Sequence, residues 1–123
     1  MITEDYVSFE TAKLLKEKGF DADIDLWYNS DGEIFHLYHY DYDATKYFAC
    51  VQCPTLQMAM KWLKDIHNLD IITPPQFDNI NWTYSAIIVK LSIPCTEIRL
   101  NDNKNKKEEA CEAAIKYCLE NLI

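Results

Sequence analysis

Residues 54–69 read Pro-Thr-Leu-Gln-Met-Ala-Met-Lys-Trp-Leu-Lys-Asp-Ile-His-Asn-Leu, and their pattern decides the fold. Thr55 offers a side-chain oxygen to the free amides of a first helical turn. Gln57, Lys61, Lys64 and Asn68 follow at spacings of four, three and four, which places them on one thin polar stripe. Leu56, Met58, Ala59, Met60, Trp62, Leu63, Ile66 and Leu69 take most of the remaining circumference. A helix with so little polar surface is expected to be buried on two sides, between a sheet and another helix.

Working outward, both flanks alternate as strands do. Downstream, Ile71 and Ile72 mark a short strand, and 73–78 (Thr-Pro-Pro-Gln-Phe-Asp) reads as a surface loop. Residues 80–91 then alternate Ile80, Trp82, Tyr84, Ala86 and Ile88 with Asn81, Thr83, Ser85, Ile87 and Val89. Pro94 turns this strand into a hairpin partner at 95–100. Upstream, Ile24, Leu26 and Tyr28 alternate with Asp23, Asp25 and Trp27, and Asn29-Ser-Asp-Gly32 turns the chain into a strand near 33–40. A third strand is expected at 46–51.

A helix stands at each end of the chain. The first opens on Ser8 as N-cap, with Val7 and Ala12 placed as a hydrophobic staple. It closes on Gly19, with Phe20 folding back on Leu15. The last opens on Asn105 and Glu108 in a capping-box pattern, and its wet stripe is Glu109, Glu112, Lys116 and Glu120. Ala110, Ala113 and Ala114 leave room for a close neighbour. The expected class is α+β, a mainly antiparallel sheet of four to six strands packed with three helices in the order α-β-β-(β)-α-β-β-(β)-α. One domain, 1–123, is expected.

The 123 residues carry 12 Lys plus Arg against 20 Asp plus Glu, a formal charge of −8. That balance argues against direct binding of nucleic acid or anionic membrane, which calls for the opposite sign. No run approaches the roughly 18 apolar residues of a membrane span. The opening residues lack the apolar core of a secretory signal, and Cys50, Cys53, Cys95, Cys111 and Cys118 are odd in number. Both features lead to an expectation of a reduced, cytoplasmic protein with free thiols.

Two clusters hold groups capable of chemistry. Cys50-Val-Gln-Cys53 has the spacing of a shared-metal or dithiol pair, although one such pair is half of a zinc site. On a continuing strand, His39, Asp41 and Asp43 would share one face as nitrogen and oxygen ligands, with Tyr38, Tyr40 and Tyr42 on the other. The plainer readings are small apolar residues at a strand end and a solvated acidic loop. Only two glycines are present, each absorbed by a cap or a turn, so no phosphate-cradling loop is available. No cofactor is expected.

Three blocks carry a resemblance: Asp5-Tyr-Val-Ser-Phe-Glu-Thr-Ala-Lys-Leu-Leu-Lys-Glu-Lys-Gly-Phe-Asp21, Pro54-Thr-Leu-Gln-Met-Ala-Met-Lys-Trp-Leu63, and Glu109-Ala-Cys-Glu-Ala-Ala-Ile-Lys-Tyr-Cys-Leu-Glu-Asn-Leu-Ile123. They resemble a family of short uncharacterised proteins from gut Bacteroidales genomes, often in phage-like or mobile regions. The blocks coincide with the three expected helices, and the resemblance implies a lineage without site residues.

The function expected first is therefore a small interaction or accessory protein, binding another protein or a second copy of itself as a homodimer. Its contact surface would be the surplus of large amphipathic side chains, Trp27, Tyr28, Tyr38, Tyr40, Tyr42, Trp82 and Tyr84. The alternatives are a metal- or thiol-dependent protein using Cys50, Cys53, His39, Asp41 and Asp43, and an acidic nucleic-acid mimic displaying Asp21, Asp23 and Asp25 together with Asp41 and Asp43.

Overall fold

The computed structural model describes residues 5–36 and 50–123, and the fold is α+β. Its contacts divide into two compact units, Met1–Thr55 and Leu56–Ile123.

The first unit opens with α1 (Phe9–Glu17), whose ends form as local chemistry dictates. The Ser8 hydroxyl accepts from the Thr11 amide at 3.2 Å, satisfying one of the amides that a helix start leaves open. At the other end Gly19 sits at φ 91°. Its amide donates to Lys16 O at 3.1 Å and the Phe20 amide to Leu15 O at 3.0 Å, the paired bonds of a Schellman cap. A three-stranded antiparallel sheet follows, with β1 (Leu26–Tyr28) between β2 (Ile34–His36) and β3 (Val51–Gln52).

The β1–β2 turn is held by Asn29, whose side-chain oxygen accepts from the amides of Asp31 at 2.9 Å and Glu33 at 3.0 Å. Val7, Ala12, Leu15, Tyr28, Val51 and Cys53 are buried in this unit. The Val7 amide donates to Pro54 O at 3.0 Å, and an isolated bridge joins Tyr6 to Thr55, so both ends of the unit are tied. Of the strand expected at 46–51, the described residues include the end that continues as β3.

The second unit opens with α2 (Leu56–His67), directly after Thr55. Asn68, at φ 57°, ends the helix two residues earlier than expected, and Leu69 instead begins β4 (Leu69–Ile72). A four-stranded antiparallel sheet is built around β6 (Trp82–Lys90). β4 and β5 (Pro75–Phe77) flank one side of it and β7 (Thr96–Lys104) the other. β4 and β5 keep one register against β6, from Leu69↔Lys90 through Ile72↔Ile87 to Pro75↔Tyr84 and Phe77↔Trp82.

Half of the stretch expected to be a loop at 73–78 is thus a strand, β5. Proline is tolerated there because Pro75 is the first residue of an outer strand, where its missing amide costs no ladder bond. Between Tyr84/Ala86 and their partners Lys104/Leu100, two steps along β6 face four along β7, a bulge in the outer strand.

The last helix, α3 (Lys107–Asn121), lies across the sheet in contact with β4, β6 and β7 and packs on α2. It is the central helix, a place expected for α2. Ala110, Cys111, Ala114, Ile115, Cys118 and Leu119 are buried along α3, whereas α2 buries Leu56, Ala59 and Leu63. Met58 and Ile66 of α2 are exposed and Trp62 is half-buried, so its apolar surface is wider than the contact it makes. Small Ala and Cys side chains let α3 approach the sheet closely while adding little hydropathy, which hides its role in a composition-based reading.

The expected capping box does not form. The N-cap is Lys106, without a side-chain cap bond, because β7 runs on to Lys104 and draws Asn105 into the connection. Glu108 and Glu109 still place negative charge in the first turn. The strands therefore occupy two sheets, one in each unit, where a single sheet of four to six strands was expected. No helix among the described residues is long and apolar enough to cross a membrane.

Candidate functional site

The β5–β6 hairpin gathers exposed apolar side chains at its free end. Phe77 and Trp82 are directly opposed in the ladder, their ring centroids 5.2 Å apart at 37°. A compact turn joins them: the Asp78 carboxylate accepts from the amides of Ile80 at 3.0 Å and Asn81 at 2.7 Å, and the Asp78 amide donates to Asn81 O at 3.1 Å. The Asn81 and Ile80 amides also hold the Asp78 carboxyl below its usual range. Asn79 takes the left-handed conformation, at φ 80°.

This turn presents Ile80 at 81% exposure, beside Phe77 at 55% and Trp82 at 59%. Tyr84, half-buried, lies two residues along β6 on the side of the sheet shared by Trp82. Trp82 and Tyr84 are reached by strand alternation. Phe77 is an addition from the structure, overlooked because Pro74-Pro75 reads as the start of a loop, and Ile80, expected at the head of the strand, stands instead on the turn before Trp82. Their signal in the sequence was the apolar residue on either side of Asp78-Asn79.

The other expected contact residues are distributed differently. Trp27, in the first unit, is half-buried, and its indole N–H donates to Ile24 O at 3.3 Å. With Ala12, Lys16, Phe20, Asp21 and Gln52 it lines a hollow of about 190 Å³. Polar groups around that hollow are already engaged by the protein. The Gln52 amide accepts from Ala22 N at 3.1 Å and donates to Ala22 O at 2.6 Å, and the Lys16 ammonium donates to Cys50 O at 3.3 Å.

Tyr28 belongs to the core, in correction of its expected place on a contact surface. Its hydroxyl donates to Val7 O at 2.6 Å, and its ring meets Phe9 at 5.4 Å. Burial suits it because the one polar atom finds a strong partner. Tyr38, Tyr40 and Tyr42 lie outside the described residues.

The candidate metal ligands divide in the same way. His39, Asp41 and Asp43 lie outside the described residues, while Cys50 and Cys53 are both buried. Burial pushes the Cys53 thiol up, and a weaker opposing effect comes from its hydrogen bond with Tyr28. Such a thiol is a poor nucleophile at neutral pH. Its backbone amide donates to Leu26 O at 2.9 Å, so the second cysteine helps fasten the chain to β1.

Cys111 and Cys118 are core residues of α3, and burial pushes the Cys118 thiol up to about 12. None of the five cysteines forms a disulfide, and Cys95 alone is exposed. Among the described residues no three His, Cys, Asp or Glu side chains converge as a metal site would require. His67 is the last residue of α2, with its ring edge-on to Trp62 at 4.7 Å. The acidic strip Asp21, Asp23 and Asp25 is exposed.

The hairpin end therefore offers recognition chemistry: flat aromatic and aliphatic surface beside one carboxylate that its own turn amides occupy. No family model, curated protein or solved structure matches the chain.

Proposed function

We propose that the chain is a small protein-interaction or accessory module that binds another protein through the β5–β6 hairpin end. Phe77, Ile80 and Trp82 are its anchors and Tyr84 stands beside them. The observation that carries this reading is the exposure of three large apolar side chains on one short turn, beyond the singly scattered apolar residues of an ordinary surface. Trp and Tyr at the centre of a contact bury large area at low entropic cost and dominate many interfaces. The charge of −8 favours a partner other than nucleic acid or anionic lipid. A cytoplasmic setting and an origin in a phage-like or mobile region of a Bacteroidales genome belong to the same proposal.

The test is an affinity capture from host lysate with tagged wild-type protein and with F77A/W82A, followed by mass spectrometry. A stoichiometric protein that is retained by wild type and depleted at least about tenfold by the double variant supports the reading. Equal capture by both overturns it. The exposed Asp21, Asp23 and Asp25 favour a second reading, an acidic mimic that occupies a DNA-binding protein. Capture of such a protein unaffected by F77A/W82A, but abolished by about 0.5 M salt, would select that one.

A further inference from the structure

β7 pairs with β6 along one side, and among the described residues no strand pairs along the other. Which backbone groups face that open side follows from β6. The amides of Ser85 and Leu91 donate to Pro74 O and Asn68 O, so odd-numbered residues at this level of β6 turn their backbone toward β4 and β5. The even residues, Ala86, Ile88 and Lys90, turn toward β7 and engage Leu100, Ile98 and Thr96. Glu97 and Arg99 are left with their amides and carbonyls directed outward. Their side chains share one face, with the Arg99 guanidinium 3.4 Å from the Glu97 carboxylate, and are 68% and 53% exposed for Arg99 and Glu97 respectively.

We propose that β7 is a self-pairing edge: two copies of the chain join antiparallel about a two-fold axis at Ile98 and extend the four-stranded sheet to eight strands. In that register Glu97 lies opposite Arg99 of the second copy, and Arg99 opposite its Glu97. Four charges then alternate in sign across the junction while the outward amides and carbonyls find partners. Ile98, half-buried, meets its own counterpart on the other face.

The charges select the register. Sliding by one residue sets outward-facing backbone against inward-facing backbone. A slide by two sets Arg99 against Arg99 or Glu97 against Glu97, which is repulsive. Charged residues commonly shield an open strand from indiscriminate pairing. Here the shield is complementary to its own image under two-fold rotation, so it admits a second copy while repelling other registers. The bulge beyond Leu100 ends the regular edge, which limits the junction to the stretch Thr96–Leu100 of each strand. Glu97 and Arg99 pair with Val89 and Ile87, well along β6 from Trp82, so the hairpin end stays accessible in the dimer.

Sedimentation velocity on the full chain tests this, with circular dichroism as the folding control. Wild type is expected to sediment at twice the 14.4 kDa chain mass. E97R and R99E alone each place like charges at both junction pairs and should weaken association at least about tenfold. Mixed in equal amounts they become complementary at both positions, so the mixture should recover the dimer. The neutral variant E97Q/R99Q should fall between wild type and the single reversals, and provides a second reading if a reversed variant does not fold. A monomeric wild type, a dimer indifferent to either reversal, or a mixture that stays monomeric overturns the proposal. F77A/W82A should leave sedimentation unchanged, so this inference and the hairpin reading fail separately.

Discussion

Gly32 and Gly19 both sit at positive φ, 82° and 91°, yet they differ in what surrounds them. A Cβ built on Gly32 would stand 3.0 Å from the Phe9 ring, whereas one on Gly19 meets nothing within 4 Å. Gly19→Ala should cost only the conformational penalty, about 1 kcal/mol. Gly32→Ala should cost about 2–3 kcal/mol, since Phe9 is itself held between the Tyr28 ring and the Lys13 ammonium, 4.6 Å above it. Urea denaturation of both variants checks the ordering, and equal losses would mean that Phe9 moves aside freely. Both glycines were legible as turn residues from their neighbours. The contact with Phe9 was not, because it joins a helix start to a hairpin turn far along the chain.

Elements were legible in proportion to how local their determinants are. α1 is specified at both ends by residues within six positions of each other, and both caps formed. α3 shows the opposite case, since Asn105 and Glu108 satisfy the capping pattern but the strand before them runs on and claims the space. Ser8→Ala should therefore destabilise by about 1 kcal/mol, while Asn105→Ala stays within about 0.5 kcal/mol, measured by thermal or urea unfolding. A comparable loss at Asn105 would show that its side chain caps the helix in solution. The apolar width of α2 suggested two-sided burial, but periodicity reports which residues are apolar and not which neighbour arrives. In the structure Leu56, Ala59 and Leu63 meet neighbours and Ile66 stays exposed. The candidate site divides along the same line, with the β6 aromatics readable and their β5 counterpart concealed by two prolines.

At the scale of the molecule, four of five cysteines are buried and none forms a disulfide. Cys118 makes stability depend on pH in a definite direction. Its thiol titrates at about 12 in the folded chain, against an ordinary value of 9.0. The raised folded value means that the stabilisation from keeping it protonated is complete below about pH 9 and is lost as pH rises toward 12. The wild-type melting temperature should fall across that window, and Cys118→Ala should fall less steeply over the same range; identical slopes would assign the alkaline loss to other groups. The α+β class was readable throughout, whereas the division into two sheets depends on pairings that no local pattern encodes. One of those pairings also constrains how this chain can change length. The outer strand carries two surplus residues between Leu100 and Lys104, and side chains alternate faces with every step. Because the surplus is even, Lys104 keeps the facing it would have in an unbroken ladder. Indels in this segment thus obey a parity rule: adding or losing a pair preserves the downstream facing, while a single-residue change inverts it on the approach to the central helix.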